Sequence, residues 1–413
     1  MKPTEPGGRA TTTSRRGFIR CSSLLMAGGA VGTGLDVARS AHAYGSETIR
    51  LGLIGCGHRG TSAAVQALRA GNGQVDIIAL ADVFADRLQS AYRAVKGCQT
   101  GRTAVPRERQ FLGLDAFSGV MSCPVDLVIL ATPPAFRPTH FAAAVAAGKH
   151  VFAEAPVAID VPGVHRFLAA NEEAKRRDLV VAVSLPRRHD RMYQQVIARL
   201  HEGAIGDIRL MRAYGNGTAK TLAEPQLGQA SREYQLRNWH HFPTLSGHHI
   251  VEQHVHNLDV MNWLQRAHPV SARGMGGRIT RSVGTCAELQ EQYFVEYTYP
   301  DGAKLMSQCR RCSSCWNNVS EHAHGTRGRA DLSGGKIYDA CGRLVWRSTA
   351  MRGGQEREQE TLLTALRCGT RPADGGEAAA LSTMTAILGR LAVESGRLLT
   401  WDEAWNSPET TCQ

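Results

Sequence analysis

The sequence predicts an α/β chain: a doubly wound parallel sheet, followed by an α+β part with an open, mostly antiparallel sheet. Between residues 49 and 184, short apolar runs alternate with segments of helical periodicity, which is typical of parallel strands with crossover helices. After residue 206, strand-like runs follow one another with Gly and Asp turn signals, which is typical of antiparallel pairing. A chain of 413 residues is long enough for two such cores.

The parallel part begins with a buried strand, a glycine-rich turn and a helix. The apolar run 49–54 precedes Gly55-Cys56-Gly57-His58-Arg59-Gly60, and helical periodicity begins at about Ser62. In such a turn the first glycine allows the tight bend, the second lets the backbone approach a pyrophosphate, and the third lets helix and strand pack closely. The helix N-terminus favours the anion. We therefore predict a dinucleotide site at residues 55–60.

A second apolar strand ends at Asp82, 22 residues past Gly60, which is about where a ribose-binding acid belongs. A carboxylate at this point accepts a hydrogen bond from a ribose 2′-OH and repels a 2′-phosphate. The sequence therefore predicts NAD as cofactor, with NADP disfavoured. The alternative role for Asp82 is a helix N-cap at the end of its strand.

The remaining elements follow from the same patterns. In the parallel part we expect strands at 125–131 and 179–184, a turn and strand at 148–154, and helices at 87–95, from Arg137 onward and at 161–177. In the second part we expect a strand at 208–214, a loop-like segment at 215–248 and one helix at 250–264. Later strands are expected at 292–299, at 303–308 and up to Trp346, with closing helices at 355–368 and 376–396.

The first 43 residues have the features of an export signal. Arg15 and Arg16 form a twin-arginine motif, a short Gly/Ala-rich apolar region follows, and Ala41-His42-Ala43 fits a cleavage site. The alternative is a disordered arginine-bearing tail. We expect a signal peptide at 1–43, a nucleotide-binding domain at 44–186, a C-terminal domain at 187–413, and a periplasmic or extracellular location.

The formal net charge of +11 does not indicate a nucleic-acid partner. Residues 1–43 carry six basic and two acidic side chains, so +4 of the charge belongs to the predicted signal and +7 is spread over the rest. A dispersed positive surface suits a dianionic cofactor rather than a nucleic-acid groove. The apolar part of the signal is too short for a stable membrane span, so we expect no membrane contact in the mature form.

Three of the eleven cysteines have a spacing that leaves their chemistry open. Cys309, Cys312 and Cys315 lie at the spacing of an iron–sulfur run, but Val319 occupies the place of the fourth ligand. Zinc would need a histidine such as His322, and a disulfide would suit an oxidising compartment. Unmodified thiols are the third alternative, and we predict no metal.

The predicted helix at 250–264 carries a set of acid–base residues. Glu252, His256 and Asp259 lie at i, i+4 and i+7, so they would share one helical face. Oxidation of an alcohol needs a base for the hydroxyl proton, and a histidine beside a carboxylate suits this role. One alternative is a set of structural histidines, and another is a zinc site formed by His248, Glu252 and His256.

Taken together, these residues resemble the Gfo/Idh/MocA oxidoreductases, the glucose–fructose oxidoreductase and inositol dehydrogenase family. The resemblance covers nearly all of residues 48–405, and the segments 382–390 and 400–404 resemble a secreted bacterial branch. It implies an N-terminal Rossmann domain, a C-terminal sheet that often mediates homo-oligomerisation, and hydride transfer between NAD(P) and a sugar or polyol carbon. The motif residues that carry it are the glycine turn, Asp82, Ala131-Thr132-Pro133, Glu154-Ala155-Pro156 and the segment 252–259.

The resemblance also implies roles for single residues. It makes His256 the general base and Glu252 an orienting or substrate-binding carboxylate, with Asp259 holding substrate hydroxyls. Arg188, which follows a strand, and Trp239 in the loop-like segment are further candidates for substrate binding. The cofactor residues implied are those of the glycine turn together with Asp82, Thr132, Pro133, His140 and Glu154.

One position departs from the family pattern. The family usually has Glu-Lys-Pro, whose lysine bonds the reacting hydroxyl, whereas this chain has Ala155 in the lysine position. Alanine neither donates a hydrogen bond nor carries charge. Three functions follow: a sugar or polyol oxidoreductase, a glycoside hydrolase that recycles its NAD through transient C3 oxidation, and a non-catalytic binder.

Overall fold

The computed structural model describes residues 48–98, 105–277, 290–370 and 375–409. The predicted signal segment 1–43 lies outside these ranges, so the twin-arginine motif stays a prediction. Among the described helices, none combines the length and apolarity that a membrane span requires.

The N-terminal part is a six-stranded parallel sheet, as predicted. Its strands lie in the order β3-β2-β1-β4-β5-β6. The order reverses between β1 and β4, and ligands of doubly wound sheets bind in the crevice at this point. The bounds are β1 Ile49–Ile54, β2 Val75–Asp82, β3 Gln110–Leu112, β4 Leu127–Leu130, β5 His150–Ala153 and β6 Val181–Val183. The short edge strand β3 was not predicted, because three residues give no readable alternation.

Helices connect the strands and cover both faces of this sheet. They are α1 His58–Ala70, α2 Ala85–Cys98, α3 Ala116–Met121, α4 Arg137–Ala146 and α5 Val161–Arg176. Their apolar residues are spaced for burial: Ala63, Ala64 and Ala67 of α1 are fully buried against Leu51 and Leu53 of β1. Small residues on α1 bring it close to the sheet and place its N-terminus at the ends of β1 and β4.

The second sheet has nine strands and is mostly antiparallel, as predicted. Its order is β14-β13-β12-β11-β7-β10-β9-β8-β15, and among the pairings of the described strands only that of β7 with β10 is parallel. The bounds are β7 Ile208–Gly217, β8 Ser271–Gly277, β9 Gln292–Thr298, β10 Lys304–Arg311, β11 Asn318–Gly325, β12 Gly328–Asp331, β13 Lys336–Asp339, β14 Leu344–Arg347 and β15 Leu399–Thr400.

One face of the second sheet packs on helices, and the other carries exposed apolar side chains among the described residues. Tyr293, Val295 and Tyr297 alternate along β9 and are buried. On the opposite face Met275 and Phe294 pair across β8 and β9 and are exposed. An exposed apolar pair on a sheet face is compatible with association through this sheet, and homo-oligomerisation stays a prediction.

The remaining helices connect and cover this sheet. They are α6 Pro186–His189, α7 Arg191–His201, α8 Ser231–Arg237, α9 Pro243–Ser246, α10 His248–Glu252, α11 Val255–Gln265, α12 Gly354–Cys368, α13 Gly375–Ser395 and α14 Trp401–Trp405. The segment 215–248, predicted to be loop-like, contains the end of β7 and two of these helices. Leu362 and Leu363 of α12 join the core around Leu51, so chain segments on both sides of the predicted boundary at 186 share one core.

The prediction of one helix at 250–264 is wrong. The helix is interrupted at Gln253 and His254, which separates α10 from α11. Buried imidazoles hold the two turns on different strands: His249 Nε2 lies 3.0 Å from the carbonyl oxygen of Gly215 on β7, and His254 Nε2 lies 2.7 Å from Ser307 Oγ on β10. Because Glu252 ends α10 while His256 and Asp259 lie on α11, these residues do not share one helical face.

Candidate active site

A single cavity of about 1090 Å³ extends from the glycine-rich turn to helix α10. It opens at the carboxyl ends of β1 and β4, the expected place for a ligand in this sheet. It brings together most of the residues predicted from sequence. Those that line it are Gly55, Cys56, Gly57, His58, Arg59, Gly60, Asp82, Thr132, Pro133, His140, Glu154, Trp239, Glu252 and His256.

The geometry of the glycine turn fits a dinucleotide. Gly55 has φ +96°, and a Cβ there would lie 2.7 Å from the carbonyl carbon of Ala131. A Cβ on Gly60 would lie 1.9 Å from the carbonyl oxygen of Gly55, so both positions are closed to side chains. A Cβ on Gly57 would meet nothing within 4 Å. Gly57 therefore leaves open space above the first turn of α1, where backbone N–H groups can bind a pyrophosphate.

Asp82 lies on the cavity wall and also holds the backbone around it. It lines the cavity, and its carboxylate accepts hydrogen bonds from the backbone N–H of Cys56 at 2.7 Å and of Phe84 at 2.8 Å. The first bond holds the glycine turn, and the second lies just before α2, as in a helix cap. Burial raises the pKa of Asp82, while these hydrogen bonds act in the opposite direction. Each carboxylate oxygen keeps a second lone pair for a ribose hydroxyl.

The residues that line the middle of the cavity contact one another through a hydrogen bond, a ring contact and an ion pair. His140 Nδ1 lies 3.2 Å from Thr132 Oγ1, and its ring packs on Phe117 with centroids 4.3 Å apart. Burial lowers the pKa of His140 to about 4, so its imidazole is neutral. Arg59 reaches from α1 to Glu154, with Nε and Oε1 2.9 Å apart. Glu154 therefore faces the predicted cofactor site as half of an ion pair.

Glu252 is a buried carboxylate with two partners. His240 Nδ1 lies 3.1 Å from its Oε1, and Arg311 on β10 donates to its Oε2. Burial would raise the pKa of Glu252, but the hydrogen bond from His240 and the charge of Arg311 outweigh burial and hold the pKa below its ordinary value. Glu252 is therefore ionised, and its imidazole partner is His240. Its expected role as an orienting or substrate-binding carboxylate stays a prediction.

His240 was not predicted, although it occupies a central place in the site. It belongs to the short 3-10 helix Trp239–His241, and its ring stacks on Trp239 with centroids 3.6 Å apart. Its Nε2 lies 2.8 Å from Lys220 Nζ. The run Trp239-His240-His241 was a signal that could have identified it, whereas nothing in the sequence connects Lys220 or Arg311 with Glu252.

His256 has the protonation state that a general base requires. It lines the cavity and is half-buried, and the described residues offer its ring no hydrogen bond. Burial and, to a smaller extent, the charge of Arg187 lower the pKa of His256 to about 4. The imidazole is therefore neutral near pH 7 and can accept a proton.

Asp259 and Arg188 lie together but outside the cavity wall. Arg188 Nη2 is 2.8 Å from Asp259 Oδ1, its Nε is 2.9 Å from Oδ2, and Ser382 Oγ donates to Oδ1 at 2.9 Å. Asp259 is only 1% exposed. Arg188 and Asp259 form an ion pair with each other, which gives them a structural role. Their predicted contact with the substrate is untested.

The alternative metal sites are not formed by the residues that the structure describes. No group of three or more His, Cys, Asp or Glu side chains is arranged there to hold a metal ion. His248 faces Glu394 at 3.6 Å, and His322 faces Ser320 Oγ at 3.1 Å. Cys309, Cys312 and Cys315 are free thiols in this structure.

Comparison with known families agrees with this geometry. Residues 49–184 match the family described as "Oxidoreductase family, NAD-binding Rossmann fold". Residues 193–331 match the family described as "GFO/IDH/MocA C-terminal domain". The chain belongs to the Gfo/Idh/MocA family. Its first part is therefore an NAD-binding Rossmann domain, as the glycine turn predicted.

Curated relatives in this family include dehydrogenases of cyclic polyols. The chain is 30% identical over 172 residues to inositol 2-dehydrogenase 4 of Saccharopolyspora erythraea, covering 41% of this chain and 46% of that protein. It is 23% identical to inositol 2-dehydrogenase of Rhizobium meliloti, covering 68% of this chain and 74% of the relative. It is 27% identical to a glycosyl hydrolase family 109 protein of S. erythraea, covering 48% of this chain and 45% of that protein.

A solved structure shares the whole fold. Scyllo-inositol dehydrogenase from Lactobacillus casei, with bound NAD(H) and scyllo-inositol, superposes with a TM-score of 0.64 at 18% identity. The match covers 86% of this chain and all of that one. At this identity the likeness establishes the fold alone.

Proposed function

We propose that this protein is an NAD-dependent oxidoreductase that transfers hydride at a secondary hydroxyl of a sugar, polyol or glycoside. The observation that carries the proposal is the single cavity, which joins the open space at Gly57 to the neutral imidazole of His256. A substrate hydroxyl that contacts His256 therefore lies in the same cavity as the glycine-rich turn. Inositol dehydrogenases among the relatives make cyclic polyols the first substrates to test.

The side chains of this cavity divide the work of alcohol oxidation. NAD, when bound, supplies the hydride acceptor. His256 is neutral because burial keeps its pKa low, so its imidazole is free to accept the hydroxyl proton. Glu252 is ionised and fixed by His240 and Arg311, so its free lone pairs can accept hydrogen bonds from neighbouring hydroxyls. Trp239 offers an aromatic surface on which the apolar face of a sugar ring can pack.

Product analysis tests the proposal. The mature protein with NAD and myo-inositol, or with a panel of aldoses and other polyols, is expected to form NADH and the corresponding ketone or lactone in equal amounts. Absence of any product with every compound, together with retained NAD binding, would identify a non-catalytic binder and refute the proposal.

A second candidate function is hydrolysis of a glycoside by NAD that is reduced and reoxidised within one turnover. The relative named as a glycosyl hydrolase family 109 protein favours it. Free sugar released from an aryl glycoside without net NADH would support this function. NADH accumulating in proportion to product would exclude it.

We also propose that the protein is exported in folded form with its cofactor. The proposal is supported by the twin-arginine motif at Arg15 and Arg16 and by the A-x-A site at residues 41–43. Replacing both arginines by lysine keeps the charge and should retain the precursor in the cytoplasm. Unchanged delivery of that variant to the periplasm would refute the twin-arginine route.

A further inference from the structure

Arg137 is a buried cation on the wall of the active-site cavity. It is the first residue of α4, is only 5% exposed and lines the cavity together with Ala155 and Pro156. Its Nη1 donates to the carbonyl oxygen of Pro156. This hydrogen bond holds the guanidinium near Ala155, whose own side chain carries no charge.

The surroundings of Arg137 leave part of its guanidinium unused. Glu154 and Glu252 are close enough for their charges to act on it, but they have other partners: Glu154 is paired with Arg59, and Glu252 with Arg311 and His240. Among the described residues, Nε of Arg137 has no hydrogen-bond partner, although it is buried. Because Arg137 lines the cavity, the unpaired donor capacity of its guanidinium is available to a ligand there.

Two other cations of the cavity wall, Arg59 and Lys220, are less suited to meet a reacting oxygen. Arg59 is engaged by both Glu154 and Ser184 Oγ, the latter at 2.9 Å. Lys220 is exposed, and its Nζ lies against His240. Arg137 alone combines burial, contact with the backbone next to Ala155 and a free donor within the described part of the chain.

We propose that Arg137 binds the reacting oxygen of the substrate and stabilises its negative charge during hydride transfer. The inference rests on the proposed oxidoreductase function and adds the residue that replaces a lysine at position 155. In the step, the substrate O–H proton passes to His256 and the carbon loses its hydrogen with two electrons to NAD. The oxygen is left as a carbonyl after carrying transient negative charge beside the guanidinium. Arginine suits this role because it remains protonated and keeps its charge throughout.

Charge relocation tests the proposal. Arg137→Met should lower kcat with NAD and myo-inositol by about 100-fold, the usual loss for one charged donor to a developing oxyanion. Arg137→Met combined with Ala155→Lys should recover at least about tenfold, since an ammonium then occupies the neighbouring position. Ala155→Lys alone should lower kcat, because two cations are then forced together. Arg176→Met is the matched control, since Arg176 lies on the surface and its side chain is 73% exposed.

Each result decides the proposal. Loss in Arg137→Met with recovery in the double variant supports it, and the recovery excludes a merely structural defect. Unchanged kcat in Arg137→Met, or Ala155→Lys that raises the activity of the wild-type background, would overturn it. Arg137→Lys keeps a cation in the same place and should retain more activity than Arg137→Met, which provides a second variant if the methionine variant folds poorly.

A binding measurement separates failure of this inference from failure of the proposed function. If the wild-type protein turns over no polyol, the oxidoreductase proposal fails, and gluconate binding to the NADH-loaded protein still tests the arginine. A carboxylate oxyanion should bind Arg137 by charge-assisted hydrogen bonds. Arg137→Met should weaken gluconate at least about tenfold while leaving the Kd for NADH within about twofold. Equal gluconate affinity in the two proteins would refute the inference.

Discussion

The two ends of the cavity are built in different ways. The cofactor end consists of backbone at Gly55, Gly57 and Gly60 and of one acid, Asp82, all within 28 residues of chain. The substrate end consists of side chains from α10, α11, β10 and the 3-10 helix at Trp239, and their contacts join Glu252 to residues as far away as Arg311. The cofactor end depends on glycine positions where a side chain would not fit. The substrate end depends on ion pairs and hydrogen bonds between charged side chains.

The pairing of charges at the substrate end has a catalytic consequence. Glu252 is held by His240 and Arg311 through contacts within the protein. Fixed charges need little reorganisation during the reaction, which is the usual origin of large electrostatic effects in catalysis. His256 differs, because it contacts the cavity without a fixed partner and is neutral.

The largest effect should come from the substrate end. His256→Ala removes the proposed base and should lower kcat about 100- to 10,000-fold while leaving NAD affinity nearly unchanged. Stopped-flow or steady-state NADH formation measures kcat, and NAD titration measures affinity. His268→Ala is a suitable control, because His268 stacks on Trp401, outside the cavity. Retained turnover in His256→Ala would assign the base to another group, with His240 first.

The pH dependence of the reaction should reflect the lowered pKa of His256. Since the pKa of His256 is lowered to about 4, the imidazole is already in its basic form at pH 5. We expect kcat/KM to stay level from about pH 5 to 8 and to fall only as the pH drops toward 4, rather than to rise through an ordinary histidine pKa of about 6.5. An inflection near 6.5 in the pH–rate profile would contradict the assignment.

The folded state itself limits this measurement at low pH. Burial lowers the pKa of His254 to about 3, well below its unfolded value. The unfolded chain therefore binds more protons than the native one below pH 6.5, and stability is lost as the pH falls toward the native pKa. Circular dichroism at each pH separates loss of fold from protonation of the base.

Two glycine substitutions at the cofactor end should have distinguishable effects, one on the stability of the protein and the other on its affinity for NAD. Gly60→Ala places a methyl group 1.9 Å from a backbone oxygen and should destabilise the protein by about 3 kcal/mol, measured by urea unfolding. Gly57→Ala meets only open space, so stability should be nearly unchanged. Its methyl group points into the space of the pyrophosphate, so NAD should bind at least about tenfold more weakly. Normal NAD affinity in Gly57→Ala would move the pyrophosphate elsewhere.

This contrast also explains what the sequence could predict. The glycine turn and Asp82 were identified because their spacing follows from local backbone geometry, and both lie on the cavity. The contacts of His240 and Arg311 with Glu252 were not predicted, because ion pairs between residues far apart in the chain produce no periodic pattern in the sequence. The shared face of Glu252, His256 and Asp259 was predicted wrongly, since buried contacts of His249 and His254 interrupt the helix. Arg137 lay in a recognised helix start, but its burial beside Ala155 depends on tertiary packing.

Arg188 and Asp259 test whether a pair outside the cavity matters to the substrate. Arg188→Gln leaves Asp259 buried with Ser382 as its hydrogen-bond donor, and should lower the free energy of unfolding by about 2 kcal/mol. The KM for substrate should change less than about twofold if the pair is structural. Arg199→Gln on the surface of α7 is the control. A large rise in KM with unchanged stability would restore the substrate-binding role predicted from sequence.

The smallest effect is expected at Asp82, and it is best measured as a ratio. Asp82→Ala removes an acceptor for the ribose hydroxyl and should weaken NAD about tenfold, within the range of a hydrogen bond to a charged group. It also removes the hydrogen bonds to the backbone of Cys56 and Phe84, so part of the loss reflects a looser turn.

A looser turn weakens the binding of NAD and NADP equally, because both carry the same pyrophosphate. Loss of the carboxylate, in contrast, removes repulsion from the 2′-phosphate and should shift preference toward NADP. The ratio of the two Kd values, measured by titration with Asp207→Ala as a surface control, therefore isolates recognition at the 2′ position. An unchanged ratio would leave Asp82 as a residue that only holds the glycine turn.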